Sequence, residues 1–404
     1  MDNGRVFKNS KRKNIEINKK MKQKNKSSMP KVLLLSLQKF GGGAIDSLEM
    51  SDALVENRFF HYILISEGNE LCDRFTDTEC RKVIKIKTFA SNYLSFLINT
   101  FLVFRWIKLI QILREIKPDI VHITHFHVWC IFVYLLRPIF KYKIFYGVHD
   151  NPFEPKEEPV FLMNFFEKLF VKEADLILTY SNFMKESIKK YVSNKTIEVL
   201  PLGIHSDLCP KFEKKFNPNK ESLDVLFFGR LESYKGIDTL VRAYEILKKE
   251  NLKIKLTIAG RGKIDKDLEN KINELGIIFK NYWISNEELC RLIESCDVLV
   301  APYKNATQSG MVSVALAYGV PIIATNVGSF SEYIKDGVNG FLIDVDDYLT
   351  LAEKIKVLYQ NRRLIIEMAK KAKEIGELYK WNGIMKKAIE LYKSYTQEGG
   401  YKDE

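Results

Sequence analysis

Short apolar runs alternate with helical periods along most of the chain. In the first half, Lys31–Leu37, His61–Ile65, Lys82–Ile86, Asp119–Ile123, Lys143–Gly147, Asp175–Thr179 and Thr196–Leu200 predict strands. Between most of them, apolar residues three and four apart predict helices, as in Ser47–Glu56, Tyr93–Ile116 and Phe161–Val171. The second half repeats the scheme, with strands expected at Asp224–Phe228, Lys255–Ala259, Gly276–Phe279, Asp297–Ala301 and Val320–Ala324. After Ile366 the pattern stays helical to about Ser394. Strands alternating with helices of this length form parallel sheets covered on both faces. The expected fold class is α/β, with two doubly wound, Rossmann-like domains.

Pro201–Lys220, with Gly203, Pro210 and Pro218 and no strong period, is the candidate linker. The expected division is a basic tail over 1–29, a first domain over 30–205, a linker over 206–220, a second domain over 221–375 and a terminal helix over 376–404. Two such domains facing one another place a cleft at the carboxyl ends of both sheets, where open α/β folds bind ligands.

The 404 residues are 46% hydrophobic and 28% charged, the balance of an ordinary globular protein. The net charge of +12 suggests nucleic acid until it is divided along the chain. Residues 1–29 hold ten Lys and Arg against Asp2 and Glu16, which leaves only +4 on the other 375 residues. No nucleic-acid partner is expected. The Lys/Asn/Ser-rich tail cannot fold alone and lacks a signal-peptide core. It reads either as the result of an upstream start codon, with translation beginning at Met29, or as a patch for an anionic membrane, at about 1 kcal/mol per Lys or Arg. The uncharged stretches Thr88–Phe104 and Ile120–Leu136 fall short of the ~20 apolar residues of a membrane span. The first continues into Arg105-Trp106-Ile107-Lys108-Leu109, either an interfacial amphipathic helix or a helix packed on the sheet, the reading favoured here. The six cysteines are scattered and read as reduced core thiols of a cytoplasmic protein. The expected location is the cytoplasm, with peripheral attachment to the inner face of the membrane.

Four segments carry candidate chemistry. Gly41-Gly42-Gly43 follows the first strand and precedes a helix, where glycines let N–H groups approach an anion; a tight turn is the plain alternative. Phe227–Asp238, FFGRLESYKGID, sets Arg230 and Lys235 five residues apart after a strand, both able to meet one diphosphate. In Ala301–Gly328 a strand ends and Thr307-Gln308-Ser309-Gly310 opens a helix of small residues, a phosphate site or merely a helix cap. His149 and Asp150 of YGVHDNPFEP stand just beyond a strand end, where a histidine would face the cleft. His122, His125 and His127 suggest a metal only weakly, since no Cys or carboxylate supports them nearby in the sequence.

Together these residues resemble the retaining, nucleotide-sugar-dependent glycosyltransferases of family 4, which have the GT-B fold. The resemblance spans Lys31 to Tyr392 and includes PDIVH (Pro118–His122), YGVHD, LTYSNF (Leu178–Phe183), VLPLGI (Val199–Ile204), FFGRLESYKGID, LTIAGRG, YGVPIIAT and VGSFSEYIKDGVNGFLID. It implies a first domain that binds the acceptor, a second that binds the donor, and a terminal helix that crosses back onto the first. Arg230 and Lys235 match the family's diphosphate pair, Gly42 and Gly43 the loop approaching donor phosphate, and His149 the cleft histidine beside the transferred sugar. Tyr282-Trp283-Ile284 occupies the loop that meets the base, which makes Trp283 and Ile284 donor residues with Thr307, Gln308, Ser309 and Gly310.

The chain departs from the family at one point. Two glutamates eight residues apart usually flank the last donor loop, yet no Glu occurs between Glu294 and Glu332, and Ala306 and Val314 fill those positions. The loop resembles instead the glutamine-serine-glycine form of some polysaccharide glycosyltransferases, with Gln308 in place of a carboxylate. The expected function is transfer of a hexose from a nucleoside-diphosphate sugar to a saccharide or lipid-linked acceptor, a bacterial polysaccharide or glycolipid precursor, with retention of configuration. No cofactor and no divalent metal are expected. The alternatives are a catalytically silent sugar-nucleotide-binding subunit and a nucleotide-sugar epimerase on the same fold.

Overall fold

The computed structural model describes residues 29–39, 41–88, 103–153, 161–206, 208–209 and 214–397. The basic tail and the first part of the helix expected from Tyr93 lie outside the described residues.

The first half forms a seven-stranded parallel sheet of β1 (Val32–Ser36), β2 (His61–Ser66), β3 (Arg81–Ile86), β4 (Ile120–Ile123), β5 (Lys143–Val148), β6 (Leu176–Thr179) and β7 (Ile197–Val199). Its helices are α1 (Gly42–Glu56), α2 (Val103–Ile116), α3 (Cys130–Phe140), α4 (Phe161–Glu173) and α5 (Asn182–Lys189). The strand order is β3-β2-β1-β4-β5-β6-β7, with Leu34 of β1 set between Ile63 and His122. The second half forms a six-stranded parallel sheet of β8 (Leu223–Phe228), β9 (Ile254–Gly260), β10 (Ile278–Asn281), β11 (Val298–Ala301), β12 (Ile322–Thr325) and β13 (Gly340–Ile343), ordered β10-β9-β8-β11-β12-β13. Around it stand α6 (Ile237–Lys249), α7 (Lys266–Glu274), α8 (Asn286–Ser295), α9 (Gly310–Tyr318), α10 (Phe330–Tyr333), α11 (Tyr348–Gln360) and α12 (Arg362–Glu377), and α13 (Trp381–Gln397) ends the described chain. Strand order reverses between β1 and β4 and again between β8 and β11. A crevice opens beyond the carboxyl ends at each reversal, and these two crevices hold the candidate site.

Central strands are apolar along their length because helices cover both faces of each sheet; β1, β4, β6, β11 and β12 are buried throughout. α2 takes the packed reading, with Leu109, Ile112, Leu113 and Ile116 in the core and Trp106 against Phe132. Among the described residues, no helix is long and apolar enough to cross a membrane.

The structure corrects several expectations. β10 begins at Ile278, not Gly276, because Gly276 adopts a left-handed φ of 66° and closes the end of α7 through its N–H to Asn273 O. β13 and α11 were not foreseen. The long terminal helix breaks between Glu377 and Trp381 without Gly or Pro at the break. There Tyr379 leaves the helical ladder to accept the Ile204 N–H at 2.9 Å, and its hydroxyl donates to Glu332 O at 3.1 Å. The cysteines are not all reduced: Cys209 of the linker and Cys290 of α8 form a disulfide, their Cα atoms 5.8 Å apart. A separation of 81 residues hides such a pair from spacing arguments, since only the fold brings the two together.

Several bonds join the halves. α13 packs on α1, with Asn57 Nδ2 donating to Asn382 O at 3.0 Å and the Tyr392 hydroxyl 2.7 Å from His122 Nδ1. Glu332 of α10 caps α5 of the other sheet, accepting from Asn182 N and Nδ2 at 3.0 Å and from Phe183 N at 2.8 Å. The Leu202 N–H donates to the Tyr333 hydroxyl at 3.0 Å. Glu332→Ala leaves the Ser181 cap of α5 in place but removes the charge that accepts from Asn182 and Phe183, in a helix with no acidic residue in its first turn. It is expected to cost about 1–2 kcal/mol and to lower the melting temperature. Melting unchanged from the parent would show that the two halves do not meet through this carboxylate.

Candidate active site

The first-domain wall grows from the crevice between β1 and β4. Gly41 takes a φ of 84° and turns the chain into α1. Gly43 has no side chain where His125 needs room: a Cβ there would lie 2.7 Å from the imidazole ring. The His125 ring stacks on His149 with centroids 3.8 Å apart, and His149 stacks on Tyr180 at 4.0 Å. Burial pushes both histidines down to about 3, so both are neutral at ordinary pH. His149 Nε2 lies 3.1 Å from Thr124 O. A carbonyl can only accept, so Nε2 carries the hydrogen and Nδ1 is left as an acceptor. Gly42 stands exposed at the start of α1, with open space around its Cβ position.

One turn into α1 the chain presents two buried carboxylates, Asp46 and Glu49. Asp46 lies 3.7 Å from His125 Nε2 and 3.8 Å from His205 Nε2. Glu49 Oε2 accepts from His205 Nδ1 at 2.9 Å and from Trp381 Nε1 at 2.8 Å. Burial raises both carboxyls, and the His205 charge offsets part of that rise. His205 itself is pushed down by burial, but the Glu49 hydrogen bond and the Asp46 charge outweigh this and leave it raised. A carboxylate therefore does stand beside His125, against the reading of the sequence. Asp46 with His125 and His149, and Asp46 with Glu49 and His205, hold atoms of metal-ligand type within 4.8 Å of one another. Ion pairing accounts for the second set, because His205 Nδ1 is already spent on Glu49. His127 turns elsewhere, accepting the Trp129 N–H at 3.1 Å, and His122 faces Tyr392.

The second-domain wall lies at the β8–β11 crevice. Lys235 rests over the Tyr303 ring at 3.7 Å and the Tyr234 ring at 4.9 Å. Burial, then the Arg230 charge, brings its amine down to about 8. Arg230 is mostly exposed and pairs with Glu232 at 2.9 Å and the Tyr234 hydroxyl at 3.1 Å. Ser309 caps α9, its Oγ accepting from Met311 N at 3.2 Å and lying 3.0 Å from the Tyr303 hydroxyl. Thr307 Oγ1 donates to Asp150 Oδ1 at 2.8 Å and so joins the two walls. The Gln308 amide nitrogen is buried without a hydrogen-bond partner. Gly310, exposed at the first turn of α9, has only His205 Nε2, at 4.0 Å, near its Cβ position. Trp283 and Ile284 sit farther out, beyond the end of the edge strand β10, with Trp283 65% exposed.

Asp150, beside His149, and Thr307 thus meet directly, and Lys235 reaches the same crevice over Tyr303, with Arg230 next to it on Tyr234. Asp46, Glu49, His205 and Trp381 are residues that sequence reasoning missed. A period of three in Asp46 and Glu49, turned inward on an otherwise apolar helix face, was the available signal.

Two parallel α/β domains facing one cleft, with cation-bearing and glycine-bearing loops at both switch points, define the GT-B fold. Residues 40–208 match the family described as Glycosyltransferase Family 4 and residues 210–378 the one described as Glycosyl transferases group 1. Sucrose-phosphate synthase of Thermosynechococcus elongatus superposes with a TM-score of 0.73 at 17% identity, over 91% of this chain and 99% of that one. Anabaena HepE in complex with UDP and glucose gives a TM-score of 0.68 at 18% identity, over 90% and 100%. In sequence, a Klebsiella pneumoniae protein described as an uncharacterized 41.2 kDa protein in the cps region is 28% identical over 72% of this chain and 83% of its own length. The D-inositol 3-phosphate glycosyltransferase of Paenarthrobacter aurescens is 28% identical over 49% of this chain and 51% of its own. The chain is a glycosyltransferase of the GT-B fold.

Gly310 separates a helix cap from a ligand site. Gly310→Ala adds a methyl group into open space, so melting is expected to stay within a degree or two of the parent, about 0.5 kcal/mol. Nucleotide-sugar affinity is expected to fall at least about tenfold, because the methyl occupies the approach to the α9 N–H groups. Parent-like affinity would leave this turn as a cap alone.

Proposed function

We propose that the protein transfers a hexose from a nucleoside-diphosphate sugar to a saccharide or lipid-linked acceptor, a polysaccharide or glycolipid precursor, with retention of anomeric configuration. The observation that carries this reading is the Thr307–Asp150 bond, which sets the start of α9 against the His149 strand end in one cleft. Support for the donor class comes from Anabaena HepE, whose structures hold UDP, glucose and UDP-glucose.

In this reading the bond between the anomeric carbon and the diphosphate oxygen breaks, and its electron pair goes to the leaving phosphate. Arg230, Lys235 and the N-terminal dipole of α9 neutralise that charge as it develops. The acceptor hydroxyl bonds to the same face of the anomeric carbon and gives its proton to the departing phosphate. Neutral His149 accepts a sugar hydroxyl at Nδ1 and orients the ring. The Gln308 amide nitrogen, buried and unpaired, takes a donor oxygen as its acceptor. Trp283 and Ile284 meet the base with their backbone. The positive groups do this without a divalent metal. Peripheral attachment to the cytoplasmic face of a membrane belongs to the same reading. Exposed Leu135 and Ile139 on α3 and Phe165 and Leu169 on α4 support it; the disulfide removes the cysteine argument for a reducing compartment.

The test is incubation with a panel of nucleoside-diphosphate hexoses and saccharide acceptors. A product with a new glycosidic bond of retained configuration is expected; an inverted product overturns retention, and an epimerised donor overturns transfer. Lys235→Ala and Arg230→Ala are each expected to slow turnover by about 10²–10³ while the fold survives. Unchanged rates in both would remove the diphosphate assignment. Chelator treatment is expected to leave the rate unchanged, and a loss restored by added Mg²⁺ or Mn²⁺ would overturn the metal-free mechanism.

A further inference from the structure

We infer that His205 is a third cation of the donor site: its Nε2–H, held in place through Glu49, donates to a phosphoryl oxygen bound at the start of α9. The inference rests on the diphosphate reading above and deepens it with a residue from the linker.

The backbone of His205 is gripped by α9. Its N–H donates to Ser313 Oγ at 2.9 Å and its carbonyl accepts from the Tyr318 hydroxyl at 3.1 Å. The preceding residue is fixed as well, through Ile204 N to Tyr379 O. The ring is therefore positioned by the donor-side helix although it belongs to the linker. Nδ1 lies 2.9 Å from Glu49 Oε2. A carboxylate accepts, so Nδ1 carries a hydrogen, and the ring is oriented from that side. Nε2 finds no hydrogen-bond acceptor among the described residues, its nearest charged neighbour being Asp46 Oδ1 at 3.8 Å. It lies 4.0 Å from the Cβ position of Gly310, in the space a phosphate must enter to reach α9.

The groups facing the ring come from three elements. α1 supplies Glu49 and Asp46, both acidic. α9 supplies the hydroxyls of Ser313 and Tyr318, which are spent on the backbone of Gly203, His205 and Ser206. α13 reaches it only through Trp381, whose Nε1 shares Glu49 Oε2. His125 and His149 are neutral and stand on the far side of Asp46. Two buried acids and no facing base favour the imidazolium, consistent with the raised position of His205. The charge is present below that pKa and is lost as pH rises through it, so anion affinity is expected to weaken in the same direction.

Inorganic pyrophosphate, which needs no knowledge of the base, is the probe, together with nucleoside diphosphates and the parent nucleosides. Titration calorimetry from about pH 6 to 9 is expected to show His205→Gln binding pyrophosphate at least about tenfold more weakly than the parent at neutral pH. Nucleoside affinity stays the same. The deficit closes as pH rises, because the parent then loses the same charge, while the Lys235 titration near 8 is common to both proteins. Glu49→Gln keeps the imidazole but removes its partner, so its pyrophosphate affinity fades at a lower pH than the parent's. A merely structural His205 would not produce that shift. Should His205→Gln fail to fold with Glu49 left unpaired, the double variant Glu49→Gln/His205→Gln removes both charges together and faces the same comparison. Pyrophosphate binding equal to the parent's at every pH, in either variant, overturns the inference and leaves the donor reading standing. A parent that binds neither pyrophosphate nor any nucleoside diphosphate overturns both.

Discussion

A buried carboxylate has to be paired, and Glu49 is paired from two distant parts of the chain. Its Oε2 accepts from His205 in the linker and from Trp381 at the start of the terminal helix. Leaving such a charge without partners costs several kcal/mol, so the packing of α13 on α1 and the path of the linker are tied to one oxygen. Gly203 shows how close this packing is: a Cβ there would overlap the Trp381 indole. That constraint acts together with the bonds of Glu332, Tyr333 and Thr307 that join the two halves directly.

The second dependence is topological. Parallel sheets whose order reverses at β1/β4 and β8/β11 leave their loops free at those two places, and each loop carries what an extended strand cannot. The first places Gly43 against His125, where any side chain would displace the ring. The second places Gly236, with a φ of 66°, against the Pro302 carbonyl, so that Lys235 projects over Tyr303. Charge is divided between the walls, acids on α1 and cations on the β8 loop. Asp46 and Glu49 of α1 bring two buried carboxylates to the cleft from the first domain.

Much of the fold was legible because its strands are apolar runs between turn residues. All seven strands of the first sheet lie where apolar runs predict them. β13 escaped because its run opens on Gly340 straight after the turn at Gly337–Asn339, which reads as part of a loop. The start of the terminal helix was expected at 376 and lies at Trp381, because the Tyr379 carbonyl is held by the Ile204 N–H. In the site, glycines and cations after strands were visible as motifs. Asp46, Glu49 and His205 were not, since a charged residue on a helix reads as solvated until the packing shows it buried. The Cys209–Cys290 pair was hidden for the same reason.

The cleft holds unsatisfied polar groups before a ligand arrives. Asp46 Oδ1, Glu49 Oε1 and the Gln308 amide nitrogen are all buried without hydrogen-bond partners, and such groups each cost about 1–3 kcal/mol. Other such atoms lie elsewhere, at Ser36, Tyr146, Asp224 and Arg362, but of these three, two lie on α1 and the third opens the turn into α9. A fold tolerates this where the groups are held in readiness, because preorganised dipoles need not reorient during the reaction. The Lys235 amine, brought down to about 8, tells the same story from the other wall, since a cation disfavoured by its surroundings gains most from an arriving anion. Stability given up at these positions is recovered by the core around the two sheets, whose central strands expose almost nothing.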